Sequence, residues 1–165
     1  ACASHAIKPA DITVHENWPG TKNVREYHGI FFSGQPDAEG LKAFKLAGVT
    51  TVINLRPEGE MKELEFDEAA EAGELGLEYH AYPWPKKEAL QAEAVQSIER
   101  VATEKHEAGE RVLIHCSSGN RAGGWFAIHL RKEHGMSLED AFGTAKAAGL
   151  SRESTQQQVR EYLGE

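Results

Sequence analysis

Apolar and polar positions along the chain switch between two periods, and the switches predict the elements. The runs Tyr27 to Phe32, Thr50 to Leu55, Leu77 to Tyr82 and Arg111 to His115 are short, apolar and rich in β-branched and aromatic residues, and they read as strands. Between them, apolar residues recur at helical spacing. One helix opens at Asp37, whose carboxylate can cap it, and ends at Gly48. A polar helix is expected from about Glu60 to Leu75. After the stiff Pro83-Trp84-Pro85 segment, Leu90, Ala94, Ile98, Val101 and Ala102 form one stripe on a helix over about Lys87 to Ala108, which should cover one face of the sheet. Ala122 to Leu130 is apolar nearly all round, which marks a central, buried helix. Two more helices are expected near Ser137 to Ala148 and Ser151 to Leu163, each opened by a Ser followed by acidic residues.

Strands alternating with amphipathic helices define an α/β fold. The expected architecture is a three-layer domain, with a central, mostly parallel sheet of four or five strands and helices on both faces. Residues 1–24 are weakly patterned and read as an irregular arm, with a short strand at Ile12 to Val14, ahead of a single domain over 25–165. A chain of 165 residues is enough for one such core.

Composition narrows the function classes. With 18 Lys+Arg against 26 Asp+Glu the net charge is −8, and no basic cluster offers the counterion release that nucleic-acid binding needs. No apolar run approaches the roughly 18 residues of a membrane span. Cys2 and Cys116 cannot build a disulfide framework, and Cys2 has no assigned role. The 8 histidines show no paired ligand spacing, so no metal and no other cofactor is expected. The first residues, Ala-Cys-Ala-Ser-His-Ala, are small like the end of a signal-peptide cleavage region, and removal of an initiator Met would look the same. Export and cytoplasmic residence are therefore equally compatible with the sequence.

The richest segment runs from Val112 to Gly124: a strand ending at His115, then Cys116-Ser117-Ser118-Gly119-Asn120-Arg121, then the buried helix from Ala122. A strand, a glycine-bearing loop and a helix N-terminus make an anion cradle, because successive backbone N–H groups turn inward to form a nest. Ser117, Ser118, Gly119, Asn120 and Ala122 would supply those N–H groups, and Arg121 can close the cradle with its planar fork. A thiol held over the same donors is expected to act as a thiolate nucleophile. Taken alone, Cys116 would read as a buried structural thiol; the combined Cys, Gly and Arg spacing favours the nucleophile. His115 either orients the thiolate through a loop carbonyl or is a strand residue with satisfied ring nitrogens.

Four motifs in order, Ser33-Gly34-Gln35-Pro36, Val52-Ile53-Asn54-Leu55-Arg56-Pro57-Glu58-Gly59-Glu60, His115 through Arg121, and Gly135-Met136-Ser137-Leu138-Glu139-Asp140-Ala141, resemble the cysteine-dependent dual-specificity-type protein phosphatase superfamily. The resemblance runs from Phe31 to about Gly149 and is strongest to the small bacterial branch called domain of unknown function 442, the phosphatase-like domain of beta-lactamase-hydrolase-like proteins. It implies a protein tyrosine phosphatase-like fold and a phosphorylated substrate; protein phosphotyrosine, phosphoserine, a lipid and a small metabolite, a small aryl phosphate among them, are all compatible with the sequence. It also implies Cys116 as the nucleophile that forms a cysteinyl-phosphate and Arg121 as the phosphate clamp.

Two positions depart from the superfamily pattern. Four residues rather than five separate Cys116 from Arg121, as in the small bacterial branch, and Ala122 stands where a Ser or Thr commonly assists the thiolate's departure. The four-residue gap also suits a rhodanese-like sulfurtransferase working through a persulfide on Cys116, and a catalytically weak phosphate-binding module is a third reading. The general acid of the superfamily is an Asp after the strand that ends near Tyr82, and no Asp lies there. Glu88, near the expected first turn of a helix whose dipole would favour its charged form, and Asp67, on the preceding helix, are the candidates. Arg56 either reaches the cradle edge or pairs with Glu58 or Glu60. Gln35 either reaches the pocket or serves the turn into the first helix, and Trp84 either walls the pocket or packs on its own loop.

Overall fold

The computed structural model describes residues 6–165, so Cys2 and most of the small-residue start lie outside the described residues. Six strands form one sheet: β1 (Thr13–His15), β2 (Val24–Tyr27), β3 (Ile30–Ser33), β4 (Val49–Asn54), β5 (Glu78–Ala81) and β6 (Arg111–His115), in the order β1-β2-β3-β6-β4-β5. The β3, β6, β4 and β5 strands are parallel neighbours, while β1, β2 and β3 pair antiparallel. The helices are α1 (Ala38–Leu46), α2 (Glu58–Met61), α3 (Glu68–Glu74), α4 (Ala92–Glu107), α5 (Asn120–Glu133), α6 (Leu138–Ala147) and α7 (Glu153–Leu163).

Successive side chains on a strand point to opposite faces, and the central strands are apolar on both. Phe32, Ile53 and Ile114 face the larger core layer, with α4, α5, α6 and α7, and Phe31, Val52 and Leu113 face the smaller one, where Leu41 and Phe44 of α1 and Ala72 of α3 pack. The helix α5 is buried continuously from Asn120 to Leu130, as its all-round apolarity predicts. Gly123 makes its seat possible: a Cβ there would run into the backbone of Leu150, on the turn that leads to α7. Ser33, Asn54 and His115 pair in register at the carboxyl ends of the parallel strands, the edge where open α/β sheets place ligands.

The structure corrects several boundaries. The run Tyr27 to Phe32 is two strands, because His28 and Gly29 both take positive φ (44° and 89°) in a two-residue hairpin turn. The expected arm is part of the domain: β1 pairs with β2, Ile7 and Ile12 are buried, and Thr144 of α6 donates to the Ile7 carbonyl at 2.7 Å. The folded unit therefore reaches back to Ile7 rather than beginning near Arg25, and the sheet has six strands. The polar helix breaks into α2 and α3 because Asp67 caps a new start, accepting from Ala70 N at 3.1 Å. The helix α4 begins at Ala92 rather than Lys87; ahead of it, Gln158 of α7 donates to the carbonyls of Pro85 and Glu88, each at 2.8 Å. Among the described residues no helix is long and apolar enough to cross a membrane.

Candidate active site

Peptide geometry explains the cradle. In a trans peptide the C=O and the next residue's N–H point in opposite directions. The Ser117 carbonyl is held outward by Gln35 N (3.2 Å) and the Ser118 carbonyl by the Asn23 amide (2.9 Å). The N–H groups of Ser118 and Gly119 consequently turn the other way, and Gly119 N–H reaches Cys116 Sγ at 3.1 Å. Gly119 permits this with φ of 97°, where a side chain would be strained. Its carbonyl accepts from Gly123 N, so the bend passes directly into α5. The backbone N–H of Cys116 is tied to the Ser33 carbonyl at 3.2 Å, and the thiol is fully buried.

Arg121 is 5 % exposed and leans over this loop. Its Nη1 and Nη2 each donate to a different oxygen of Glu60 at 2.8 Å; Nη1 also reaches the Trp84 carbonyl (3.3 Å) and Nη2 the Ser117 hydroxyl (3.2 Å). Glu60 also accepts from Arg56 Nε at 3.1 Å. Burial works against the Arg121 charge, but Glu60 and the nearby Cys116 sulfur outweigh it and raise the guanidinium further. Glu60 thus grips one edge of Arg121 and fixes its plane; on the other edge Nη2 is on the Ser117 hydroxyl, and Nε makes none of these bonds.

The Arg121 hydrogen bonds, with help from Arg56, hold Glu60 down to about 2 from its ordinary 4.5. Because its folded value lies below its unfolded one, Glu60 stabilises the fold fully above about pH 4.5, and that contribution fades as pH falls toward 2. Melting curves from about pH 6 to about pH 3 should therefore show the gap between wild type and Glu60→Gln narrowing as acid is added. A gap that stays constant would contradict this role.

His115 is bracketed by acceptors. Its Nδ1 faces the Cys116 carbonyl at 3.2 Å and its Nε2 faces the two Glu68 oxygens at 2.9 and 3.0 Å. Glu68 itself receives Tyr79 OH (2.6 Å) and the Gln35 amide (2.6 Å). The Gln35 orientation is fixed because its oxygen accepts from Arg56 Nη1 at 2.9 Å, and Tyr79 in turn accepts from the Asn54 amide at 3.0 Å. Tyr79 and Gln35 both donate to Glu68, and the His115 ring lies between Glu68 and the Cys116 carbonyl. Burial alone would push Glu68 up; the His115 charge, with the His115, Tyr79 and Gln35 hydrogen bonds, holds it below its ordinary value. Burial and the Glu68 charge push Tyr79 far up, which keeps its phenol a donor. The result is a continuous circuit, Cys116–His115–Glu68–Gln35–Arg56–Glu60–Arg121, that fixes the His115 ring one residue before the thiol.

Of the residues picked from sequence, Cys116, Ser117, Ser118, Gly119, Asn120, Arg121 and Ala122 come together at the α5 N-terminus, with His115 and Arg56 supporting from below. Arg56 pairs with Glu60 rather than Glu58. Trp84 is neither wall nor rim: it is 1 % exposed, in the core, and donates to Gln158 at 3.1 Å. Asp67 is an exposed helix cap outside the cleft above the loop. Glu88 is exposed, lies in the loop before α4 rather than on a helix turn, and does not line that cleft, so the helix-dipole argument for it does not apply. Glu60, Glu68, Tyr79, Lys86 and Arg152 were not singled out from sequence as site residues; Glu60 lay inside a recognised motif, while the others carried no local signal.

A Cys–Arg loop thus sits at the carboxyl edge of a mostly parallel sheet. The family model PTP-SAK, a Swiss Army Knife protein DSP-PTPase phosphatase domain, matches residues 30–162, and the chain belongs to this family. A beta-lactamase hydrolase-like protein of Xylella fastidiosa is 33% identical over 96 residues, a stretch that takes in 56% of this chain and 21% of that protein. The chain thus spans about a fifth of the length of this relative. Among solved structures, Tk-PTP in its active form is 26% identical with a TM-score of 0.71, over 88% of this chain and 97% of that one. A DUF442 protein from Shewanella putrefaciens CN-32 shares the fold at 22% identity and a TM-score of 0.71, over 88% and 92% of the two chains.

Proposed function

We propose that the chain hydrolyses phosphomonoesters, with protein phosphotyrosine or small aryl phosphates as substrates, through a cysteinyl-phosphate on Cys116. The phosphoryl group sits on the N–H groups of Ser117 to Ala122, with its equatorial oxygens on Arg121 Nε and on Nη2, which gives up the Ser117 hydroxyl to take one. The Cys116 sulfur attacks phosphorus, the P–O bond to the leaving group breaks, and the departing oxygen takes a proton from solvent. A water then attacks phosphorus and the P–S bond breaks, returning inorganic phosphate and the thiolate. Ala122 offers no hydroxyl to help the sulfur leave; the Gly119 N–H, 3.1 Å from Sγ, is the donor that can take that charge.

The observation that carries this reading is the joint placement of a buried thiol, an inward-turned N–H and an Arg121 fixed by Glu60 and reaching the loop at the Ser117 hydroxyl. Two assays on one preparation separate it from sulfur transfer. Release of inorganic phosphate from p-nitrophenyl phosphate, with little transfer of sulfur from thiosulfate to cyanide, is the expected outcome. Efficient sulfur transfer without phosphate release would assign a rhodanese-like reaction instead.

A further inference from the structure

Lys86 and Arg152 take no part in the chemistry at Cys116, yet both line the cleft above it, about 80 Å³ in volume. The other lining residues are Ser117, Ser118, Asn120, Arg121 and Thr155, so no carboxylate faces this space in a chain of net charge −8. Among the described residues Arg56, Lys62, Lys105, Arg121 and Arg131 sit on carboxylates, and Lys86 and Arg152 are the cations that share this cleft with Arg121. Among the described residues the Lys86 and Arg152 side chains have no hydrogen-bond or ion-pair partner.

Their backbones are nonetheless fixed. Asn120 of the cradle accepts from the N–H groups of Ser151 (3.0 Å) and Arg152 (2.9 Å), and its amide donates to the Thr155 hydroxyl at 2.8 Å. On the other side, Gln158 pins the carbonyls of Pro85 and Glu88, which flank Lys86. Arg152 also breaks a local rule. It is the N-cap of α7 and makes no capping bond, at a position where Ser, Thr, Asp or Asn would cap and where the helix dipole disfavours a cation. A cation kept there against local preference, beside a second unpaired cation, fits an anion that neutralises both.

We propose that Lys86 and Arg152 form a second anion subsite beside the phosphoryl cradle, so that the substrate is a small phosphomonoester carrying a second phosphate group. This rests on the phosphatase reading above. A dianionic phosphate matches the two cations in charge, and the Arg152 fork can take two of its oxygens.

The test compares phenyl phosphate with resorcinol bisphosphate and hydroquinone bisphosphate, two spans of the same leaving-group type, and with 3-carboxyphenyl phosphate. At least one bisphosphate should show kcat/KM per phosphoryl group about tenfold or more above phenyl phosphate, as charge-assisted contacts allow. In Lys86→Ala and Arg152→Ala that ratio should fall toward one, and in Arg152→Glu below it, with melting temperatures read alongside to confirm folding. Equal values for mono- and bisphosphates, or an advantage that survives both Ala variants, would overturn the subsite. An equal advantage for the carboxyphenyl ester would overturn its assignment to phosphate. Calorimetric binding of the same esters to Cys116→Ser keeps the two readings apart. If no ester is hydrolysed but the affinity ratio and its loss in the Ala variants persist, the phosphatase reading fails and the subsite stands.

Discussion

Replacing Cys116 by Ser is expected to lower turnover of p-nitrophenyl phosphate on the order of 10⁴-fold or more, as removal of a nucleophile does, while phosphate or vanadate still binds. The donors of the cradle are backbone N–H groups whose carbonyls are held outward by Gln35 and Asn23, and none of this depends on the sulfur. Arg121→Ala should behave differently and lose anion affinity as well as turnover, because it removes a charged clamp. Steady-state rates together with calorimetric titration of inorganic phosphate check both variants. A Cys116→Ser enzyme that retained a tenth of the activity would place the nucleophile elsewhere.

The second large effect concerns the leaving group. Among the described residues no carboxyl group lines the cleft. Asp11, Asp37 and Asp67 accept backbone hydrogen bonds at helix starts and Asp140 lies in the first turn of α6. Glu60 is held at about 2 and Glu68 is a carboxylate in the His115 bracket. Aryl phosphates, whose oxygens leave without a proton, should therefore outrun alkyl phosphates by about the 10²- to 10⁴-fold that general acid catalysis supplies. A series of phosphate monoesters of graded leaving-group pKa measures this as a steep slope. A flat series, together with a large loss in Glu88→Gln or Asp67→Asn, would identify an acid.

The chemistry of the loop was legible because it is contiguous: His115 to Ala122 lie on one strand–loop–helix unit, and a Cys, a Gly and an Arg at fixed spacing leave few alternatives. The support beneath it was not legible, because it is assembled across the sheet. Glu68 comes from a short acidic helix that reads as a solvated surface, and only the fold brings it under His115, 47 residues away. Arg56 and Glu60 share a motif, but nothing local says that Glu60 turns to Arg121. Boundaries failed where tertiary contacts overrode local pattern: Gln158 ties down the Pro85 to Glu88 backbone ahead of α4, and Ile7 and Ile12 draw the N-terminal segment onto the core. The hairpin at His28 and Gly29 was missed because only the glycine signalled positive φ.

The central claim is a phosphoryl group carried on Cys116 during turnover. Rapid acid quench of the enzyme during hydrolysis of an aryl phosphate, followed by mass spectrometry of the Cys116 peptide, tests it directly. The peptide is predicted to carry one phosphoryl group, formed at least as fast as the enzyme turns over and absent from Cys116→Ser. Steady phosphate release with no phosphoryl group on the Cys116 peptide at any time, or one on another residue, would contradict the account.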